Sequence, residues 1–211
     1  MNENTMAANV PGFDENIFHM KRSKAWEILK CSSSMCKKCS LHSGRKSVVF
    51  GDGSLTSGLL FIGEAPGAEE DEKGIPFVGK AGQLLSKIIE AAGMDRKNIF
   101  ITNVVKCRPP ENRVPAIEEM LACEDILKSQ IALLNPSIIV CLGATPTKWI
   151  LKTSEAISKI RGRWFDWKGI MVMPMFHPSF LLRNQSNKKG SPKDLTWTDI
   201  QVVRDRWLET R

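Results

Sequence analysis

The stretch GLLFIGEAPGAEED, residues 58–71, joins a short apolar run to a loop rich in glycine and carboxylates. Residues 59–62 are all apolar, without the alternation of a strand that has one face in water. A run of this kind is typical of a strand buried on both faces, as in a parallel sheet. The glycines that follow allow a ligand to approach the backbone closely. The stretch therefore predicts a buried strand that ends at a binding loop.

Four further apolar runs alternate with segments of helical spacing. The runs are SVVFGDG (residues 47–53), NIFITNVVK (98–106), SIIVCLG (137–143) and GIMVMPMFHPS (169–179). Helical patterns cover residues 18–30, 84–89, 115–134, a segment from about 145, and 194–208. Alternating buried strands and helices predict an α/β fold with a mostly parallel sheet, covered by helices on both faces.

Length and composition fit one globular domain. The chain has 211 residues, of which 42% are hydrophobic and 25% charged, and these are ordinary values for such a domain. Residues 1–17 are polar and without a period, which predicts a flexible tail before a single domain over residues 18–211. No apolar run is long enough to span a membrane and no secretory signal is visible. We therefore expect a cytoplasmic protein without a membrane partner.

The charge balance is basic. Thirty Lys and Arg residues stand against 23 Asp and Glu residues, for a net charge of +7. Such an excess suggests a polyanionic partner, of which nucleic acid is the commonest kind. Basic residues recur in residues 158–168 and 183–193, where a solvated basic face is the simpler interpretation.

Side chains suited to chemistry follow the predicted strand ends. Ligands of parallel α/β sheets bind beyond the carboxyl ends of the strands, so the loops GEAPG, NVVKCRPP, LGATP and HPS should face one crevice. The crevice would hold a carboxylate, a ring for stacking, an amide for reading a base edge and an imidazole. These are Glu64, Phe77, Asn103 and His177. A phosphate cradle fits poorly, because the glycine loop lacks the P-loop lysine and the G-x-G-x-x-G spacing.

The six cysteines include two candidate metal-binding pairs. Cys36 and Cys39 form a C-x2-C in a polar loop, whereas Cys107 and Cys123 are separated by a loop and part of a helix. Since disulfides are disfavoured inside cells, the pairs could converge on one metal centre. Four thiolates suit zinc or an iron–sulfur cluster, and the long second spacing slightly favours the cluster.

The remaining two cysteines differ from each other. Cys141 lies inside an apolar strand, where a free cysteine behaves as a small hydrophobe. Cys31 precedes Cys36 by a C-x4-C gap and could replace Cys36 or Cys39 as a ligand.

Several motifs together resemble the family 4, iron–sulfur uracil-DNA glycosylases. They agree with that family in order and spacing, and the match covers residues 36–183. The motifs are CKKCSLHSGRKSVVFGDG (residues 36–53), GEAPGAEED (63–71), GIPFVGKAGQLL (74–85), NVVKCRPPENRVP (103–115) and FHPSFLLR (176–183).

The resemblance implies a three-layer α/β/α fold and a [4Fe–4S] cluster. The cluster ligands of the family map onto Cys36, Cys39, Cys107 and Cys123, which leaves Cys31 and Cys141 outside the pattern. The implied reaction is hydrolysis of the bond between uracil and deoxyribose in double- or single-stranded DNA. No Schiff-base lysine is needed, so we expect a monofunctional enzyme that does not cleave the strand, acting as a monomer.

The resemblance also implies roles for individual residues. Glu64 would act on the water and the developing cationic sugar, and His177 would stabilise charge on the departing base. Phe77 would stack on uracil and Asn103 would read its edge. The base would also be bound by three residues of the glycine-rich loop, Gly63, Ala65 and Gly67. DNA would be contacted by Ser179, by Leu181 and Leu182 as a wedge, and by Arg183 at a phosphate.

Three other interpretations make different demands on the sequence. A non-catalytic metal-bound DNA module would tolerate loss of Glu64, Asn103 and His177, yet all three are present. A family 5 enzyme of broader substrate range would lack the acidic residue at position 64. A covalent uracil-trapping relative would need an inserted basic loop with its own histidine, and residues 82–115 contain none.

Overall fold

A mixed sheet of six strands forms the centre of the molecule within residues 15–210, the part of the chain that the computed structural model describes. The strands are β1 (Asp52–Gly53), β2 (Leu59–Gly63), β3 (Phe100–Asn103), β4 (Ile138–Leu142), β5 (Phe165–Trp167) and β6 (Ile170–Met175). Their order across the sheet is β1-β3-β2-β4-β6-β5. The four central strands are parallel, and β1 and β5 pair antiparallel at the edges.

The helices are α1 (Glu15–Ser34), α2 (Ala68–Lys73), α3 (Lys80–Ala91), α4 (Ile117–Leu134), α5 (Ala144–Leu151), α6 (Ile157–Ile160), α7 (Pro178–Arg183) and α8 (Pro192–Leu208). Short 3-10 turns occupy Ser40–His42, Arg96–Asn98 and Pro110–Asn112. None of the described helices is long and apolar enough to cross a membrane.

Helices cover both faces of the sheet, which confirms the predicted α/β fold of three layers. Side chains alternate along each strand, so Leu60 and Ile62 pack with α1, α4 and α5 on one face. Leu59 and Phe61 pack with α3 and α8 on the other face. All four of these side chains are at most 1% exposed. Burial on both faces explains why β2 reads as a continuous apolar run.

The edges of the sheet differ from the sequence prediction. Of the predicted first run, only Asp52–Gly53 forms a strand, and it pairs with β3. Strand β5 was not predicted, because its three residues lie in a segment interpreted as a basic face. It forms a hairpin with β6 through Lys168 and Gly169, which both adopt positive φ. Two such residues are typical of the tight hairpin turn.

The first helix is longer than predicted at both ends. It begins at Glu15 and continues through Ser34, beyond the expected range of 18–30. Residues 1–14, which make up most of the predicted tail of residues 1–17, lie outside the described part of the chain. Because α1 packs against α4, tertiary contacts stabilise its last turn although Ser and Cys have low helix propensity.

The parallel strands bring their carboxyl ends to one edge of the sheet. Gly63 at the end of β2 is in register with Asn103 at the end of β3. Leu142 at the end of β4 is in register with Met175 of β6, two residues before His177. The loops predicted to face one crevice therefore start side by side.

One buried ion pair should dominate the attachment of α8 to the loop before β5. Asp199 is 2% exposed and pairs with Arg161, which was expected to be solvated. Asp199→Ala would leave the Arg161 guanidinium, whose side chain is only 14% exposed, without its carboxylate partner and bonded only to the Leu195 carbonyl among the described residues. We expect a loss of about 3–5 kcal/mol in the free energy of unfolding by urea denaturation.

Asp205→Ala on the same helix is the matched control. Asp205 is exposed, and within residues 15–210 its carboxylate pairs only with Arg204, at the surface. This change should alter stability by about 0.5 kcal/mol or less. Equal losses in the two variants would contradict the importance of the buried pair.

Candidate active site

A cavity of about 320 Å³ opens at the carboxyl edge of the sheet. It contains all four of the chemically suited residues predicted from the sequence. Its lining consists of Glu64, Ala65, Pro66, Gly67, Glu70, Phe77, Ala81, Asn103, Pro109, Asn112, Arg113, His177, Ser179 and Arg183. The predicted Gly63 lies directly behind this lining, because a Cβ added there would meet Asn103 Oδ1 and the Phe77 ring.

Asn103 carries a buried polar atom without a partner. The residue is 1% exposed, and Oδ1 has no hydrogen-bond partner among the described residues. A Cβ on Gly63 would lie 2.3 Å from this oxygen, so glycine is required for the amide to occupy its position. An unpaired buried acceptor costs about 1–3 kcal/mol, so in a native protein such a group calls for an explanation, and a catalytic role is one.

His177 is held as a neutral hydrogen-bond donor. The backbone N–H of Ser179 donates to Nδ1 at 3.1 Å, so Nδ1 is the acceptor nitrogen and Nε2 carries the proton. The Ser179 hydroxyl lies 2.8 Å from the same nitrogen. Burial, and after it the charge of Arg183, lowers the pKa of His177 to about 4. The ring is therefore uncharged at neutral pH.

Glu64 is oriented by a residue that sequence reasoning did not single out. The Thr145 hydroxyl donates to Oε2 of Glu64. Thr145 stands in the first turn of α5, three residues after the end of β4 and two after Gly143. The only sequence signal was the position of the LGATP loop at a strand end. Among the described residues, none donates to the other carboxylate oxygen, Oε1.

The loop that carries Phe77 is held in a strained conformation. Phe77 has φ of +53°, in the left-handed region that side chains other than glycine rarely adopt. The backbone N–H groups of Val78 and Gly79 donate to Glu70 Oε1 at 2.9 and 2.8 Å. On the other side, Arg96 donates to the carbonyl of Pro76 at 2.6 Å. Bonds on both sides thus over-determine the ring position.

Glu70 and Asp71 explain part of the carboxylate cluster in the glycine-rich loop. Glu70 Oε2 also accepts from the N–H of Gly67, three residues earlier, which is the spacing of a helix N-cap. Asp71 accepts from the N–H groups of Lys46 and Ser47. The two carboxylates therefore organise backbone. Glu70 caps nearby backbone around the Phe77 segment, whereas the role of Asp71 could not be assigned from sequence, because its donors lie about 25 residues earlier in the chain.

Arg113 and Glu119 join the cavity to the segment around Cys39. Arg113 lines the cavity and forms two hydrogen bonds with Glu119, at 2.7 and 2.8 Å. Glu119 also accepts from the N–H of Ala116 and from the hydroxyl of Ser40. The bonds from Arg113 are the main reason that the pKa of Glu119 falls to about 2.

The residues predicted to contact DNA are not equally available. Ser179 and Arg183 line the cavity, and Leu182 is 37% exposed. Leu181 is 1% exposed and packs near Leu84 and Ile88 of α3. The prediction that Leu181 forms part of a wedge is wrong for this conformation, since successive helix residues point in different directions.

Four cysteines surround a second, smaller cavity. Cys36, Cys39, Cys107 and Cys123 line it together, although they come from separate segments. Cys31 is exposed and does not line this cavity, and Cys141 is fully buried in β4 as predicted. Burial raises the pKa of the Cys107 thiol to about 11 and also raises that of Cys123.

The donors around this cavity suit a thiolate-bound metal centre. Four cysteine side chains line it together, and four thiolates can bind either zinc or an iron–sulfur cluster. Arg45 donates to Cys107 Sγ at 3.3 Å, a contact that stabilises a thiolate. The buried Ser33 hydroxyl beside the cavity has no hydrogen-bond partner among the described residues. The residues present therefore fit a thiolate-bound cluster.

Comparison with known proteins agrees with this geometry. The family model for the uracil DNA glycosylase superfamily matches residues 50–201. The chain is 46% identical to the type-4 uracil-DNA glycosylase of Thermotoga maritima, over 79% of this chain and 88% of the relative. It is 44% identical to that of Saccharolobus solfataricus, over 75% and 78% of the two chains.

A type-5 enzyme is less similar. The type-5 uracil-DNA glycosylase of Pyrobaculum aerophilum is 29% identical over 60% of this chain and 63% of the relative. The superfamily match spans most of the domain, and the type-4 relatives exceed the type-5 relative in both identity and coverage. The chain therefore belongs to the type-4 uracil-DNA glycosylases of the uracil DNA glycosylase superfamily.

Proposed function

We propose that this protein excises uracil from DNA by hydrolysing the N-glycosidic bond, the first step of base excision repair. The observation that carries the proposal is the buried Asn103 Oδ1, which has no hydrogen-bond partner among the described residues and belongs to the same cavity as His177. Uracil presents a ring N–H between two carbonyl groups. Such a ligand would supply the missing donor to Asn103 and an oxygen acceptor for His177.

Asn103 selects the base. Its amide offers one acceptor and one donor in a fixed plane, which matches the N3–H and O4 of uracil. Cytosine has an exocyclic amine in place of O4 and an unprotonated N3. The buried amide would then face two mismatched groups, and a site built to hydrogen-bond one partner strongly rejects an analogue that lacks it.

His177 acts as the base departs. Breaking the glycosidic bond leaves developing negative charge on uracil, and a fixed donor aimed at that charge stabilises the transition state. The neutral ring carries its proton on Nε2, since Nδ1 accepts from Ser179. Its pKa of about 4 means that the donor is present across the neutral range without a titration of the ring.

Glu64 acts on the sugar side. A carboxylate can balance positive charge on an oxocarbenium-like sugar and orient the attacking water. The hydroxyl of Thr145 fixes one carboxylate oxygen. The other oxygen would then be left for water. Glu64 at this position also favours a type-4 activity over the broader type-5 activity expected without an acid there.

The base must leave the helix to reach this cavity. Flipping costs a few kcal/mol, and stacking on the Phe77 ring would offset part of it. The Phe77 and His177 rings lie 5.8 Å apart at the cavity. Arg183 would contact phosphate, and the exposed Leu182 alone would enter the emptied stack. The net charge of +7 suits this substrate.

A [4Fe–4S] cluster would be held by Cys36, Cys39, Cys107 and Cys123. When bound, such a cluster supplies a covalent cross-link between the segments that carry its thiolates. Here it would pin the segment between Cys107 and Cys123, which contributes Pro109, Asn112 and Arg113 to the cavity. That the enzyme works as a cytoplasmic monomer remains a prediction.

The direct test is an oligonucleotide with one uracil, incubated with the protein and then treated with alkali to reveal abasic sites. Asn103→Asp replaces the amide donor by a second acceptor, so uracil excision should fall and any gain should appear on cytosine. His177→Ala should slow excision by about 10²–10³ with little change in selectivity. Single-turnover rates on both bases measure these effects.

Asn135→Asp is the matched control, because it makes the same chemical change at an exposed residue after α4. It should excise uracil at the wild-type rate. Wild-type protein that leaves uracil intact would overturn the proposed function. Full activity of His177→Ala, or full uracil activity of Asn103→Asp, would overturn the role of that residue alone.

The cluster assignment predicts a brown protein with about four irons per chain. Cys36→Ala or Cys123→Ala should abolish the broad visible absorption. Cys31→Ala and Cys141→Ala should retain it, since neither residue lines the cysteine cavity. Iron analysis and absorption spectra of anaerobically purified protein decide the matter, and stoichiometric zinc without iron would contradict the assignment.

A further inference from the structure

Lys106 is a buried cation between the two cavities. Its side chain is 1% exposed and Nζ donates to the main-chain carbonyl of Asn103 at 2.6 Å. A second bond from Nζ goes to the hydroxyl of Thr102 at 2.7 Å. The same residue lines the cysteine cavity beside Cys107 and Cys123, and it does not line the base cavity. Lys106 therefore cannot touch the substrate in this arrangement.

The acceptors of Lys106 are both neutral. A buried ammonium needs a compensating negative charge. Among the described residues no carboxylate pairs with Lys106, and the residue lines the cysteine cavity together with Cys107 and Cys123. Four thiolates around a cluster would leave that site net negative. The cysteine cavity thus offers the countercharge that the rest of the surroundings lacks.

Thr102 extends the contacts of Lys106 to neighbouring segments. Its hydroxyl donates to the carbonyl of Phe50 at 2.9 Å, and Gln130 of α4 donates to that same carbonyl at 2.8 Å. Thr102 and Gln130 are fully buried. Strand β3 is therefore tied to α4, the helix that carries Cys123, through side chains with no access to water.

The main chain after Asn103 also contacts the catalytic loop. The N–H of Val104 donates to the carbonyl of Gly63 at 2.9 Å, and that of Val105 donates to the carbonyl of Glu64 at 3.2 Å. A shift of the segment between Asn103 and Cys107 would thus move the base-reading amide and the carboxylate together.

We propose that Lys106 is a positioning residue, whose ammonium ties the main chain of Asn103 to the thiolates of Cys107 and Cys123. The cysteine-bearing segments thereby set where the base-reading amide sits. This inference rests on the proposed function. It assigns to Lys106 no contact with DNA and no part in proton transfer.

The test compares Lys106→Met, which removes charge and donors at similar length, with Lys106→Gln, which keeps a neutral donor. Both variants should keep their iron. In both, the reduction potential of the cluster should become more negative, because a nearby cation stabilises the more negative reduced state. Uracil excision should fall about tenfold in Lys106→Met, as expected for one lost hydrogen bond, and less in Lys106→Gln.

Two controls separate a local effect from a general one. Lys128→Met makes the same change at an exposed lysine paired with Glu124, and it should change neither potential nor rate. In an Asn103→Ala background, Lys106→Met should cost little further activity, since both changes remove the same positioned amide.

An unchanged potential in both Lys106 variants would sink the countercharge role. A full tenfold loss that persists in the Asn103→Ala background would sink the positioning role. These outcomes are distinct from failure of the proposed function, in which wild-type protein itself would not excise uracil. If Lys106→Met does not fold, the potential of Lys106→Gln decides the countercharge role, and its excision rates in both backgrounds decide the positioning role.

Discussion

The unpaired amide oxygen of Asn103 is the constraint to which the rest of the site conforms. The oxygen can stay buried because Gly63 on the neighbouring strand has no side chain, and a Cβ there would occupy its place. Lys106 Nζ donates a hydrogen bond to the main-chain carbonyl of the same residue. The Phe77 loop closes the other side of the cavity, fixed by Glu70 and Arg96. The cost of the unpaired acceptor is recovered only when a ligand donates to it.

The parallel sheet brings the other residues of the site to the same edge as Asn103. Adjacent strands end at one edge, so residues far apart in sequence meet without long loops of their own. Glu64, Asn103 and His177 each lie at or just after the end of a different strand, and each is oriented by a close neighbour in space. The cysteine cavity lies beside this edge. The Arg113–Glu119 pair and Lys106 connect it to the base cavity. An iron–sulfur cluster at the cysteine cavity would therefore influence base recognition by positioning residues of the base cavity, without taking part in the reaction.

The sequence predicted the layers of the fold and the four central residues of the cavity, for identifiable physical reasons. Continuous apolar runs such as residues 59–62 mark strands buried on both faces, and polar residues at their ends mark the binding edge. Strand β5 escaped prediction because three residues are too few to show a period. Thr145 escaped because its role depends on Glu64, which lies 81 residues earlier in the chain. The orientation of Leu181 depends on how α7 packs on α3, which spacing does not reveal.

Single-turnover excision from single-stranded DNA containing either uracil or N3-methyluracil measures most directly whether Asn103 Oδ1 accepts from the base. Single strands remove the difference in pairing between the two bases. Methylation removes the N3–H that would donate to Asn103 Oδ1 and places a methyl group against a buried acceptor. We expect a loss of about 10²-fold or more, since a buried polar group is left unpaired. Equal rates on the two bases would contradict it.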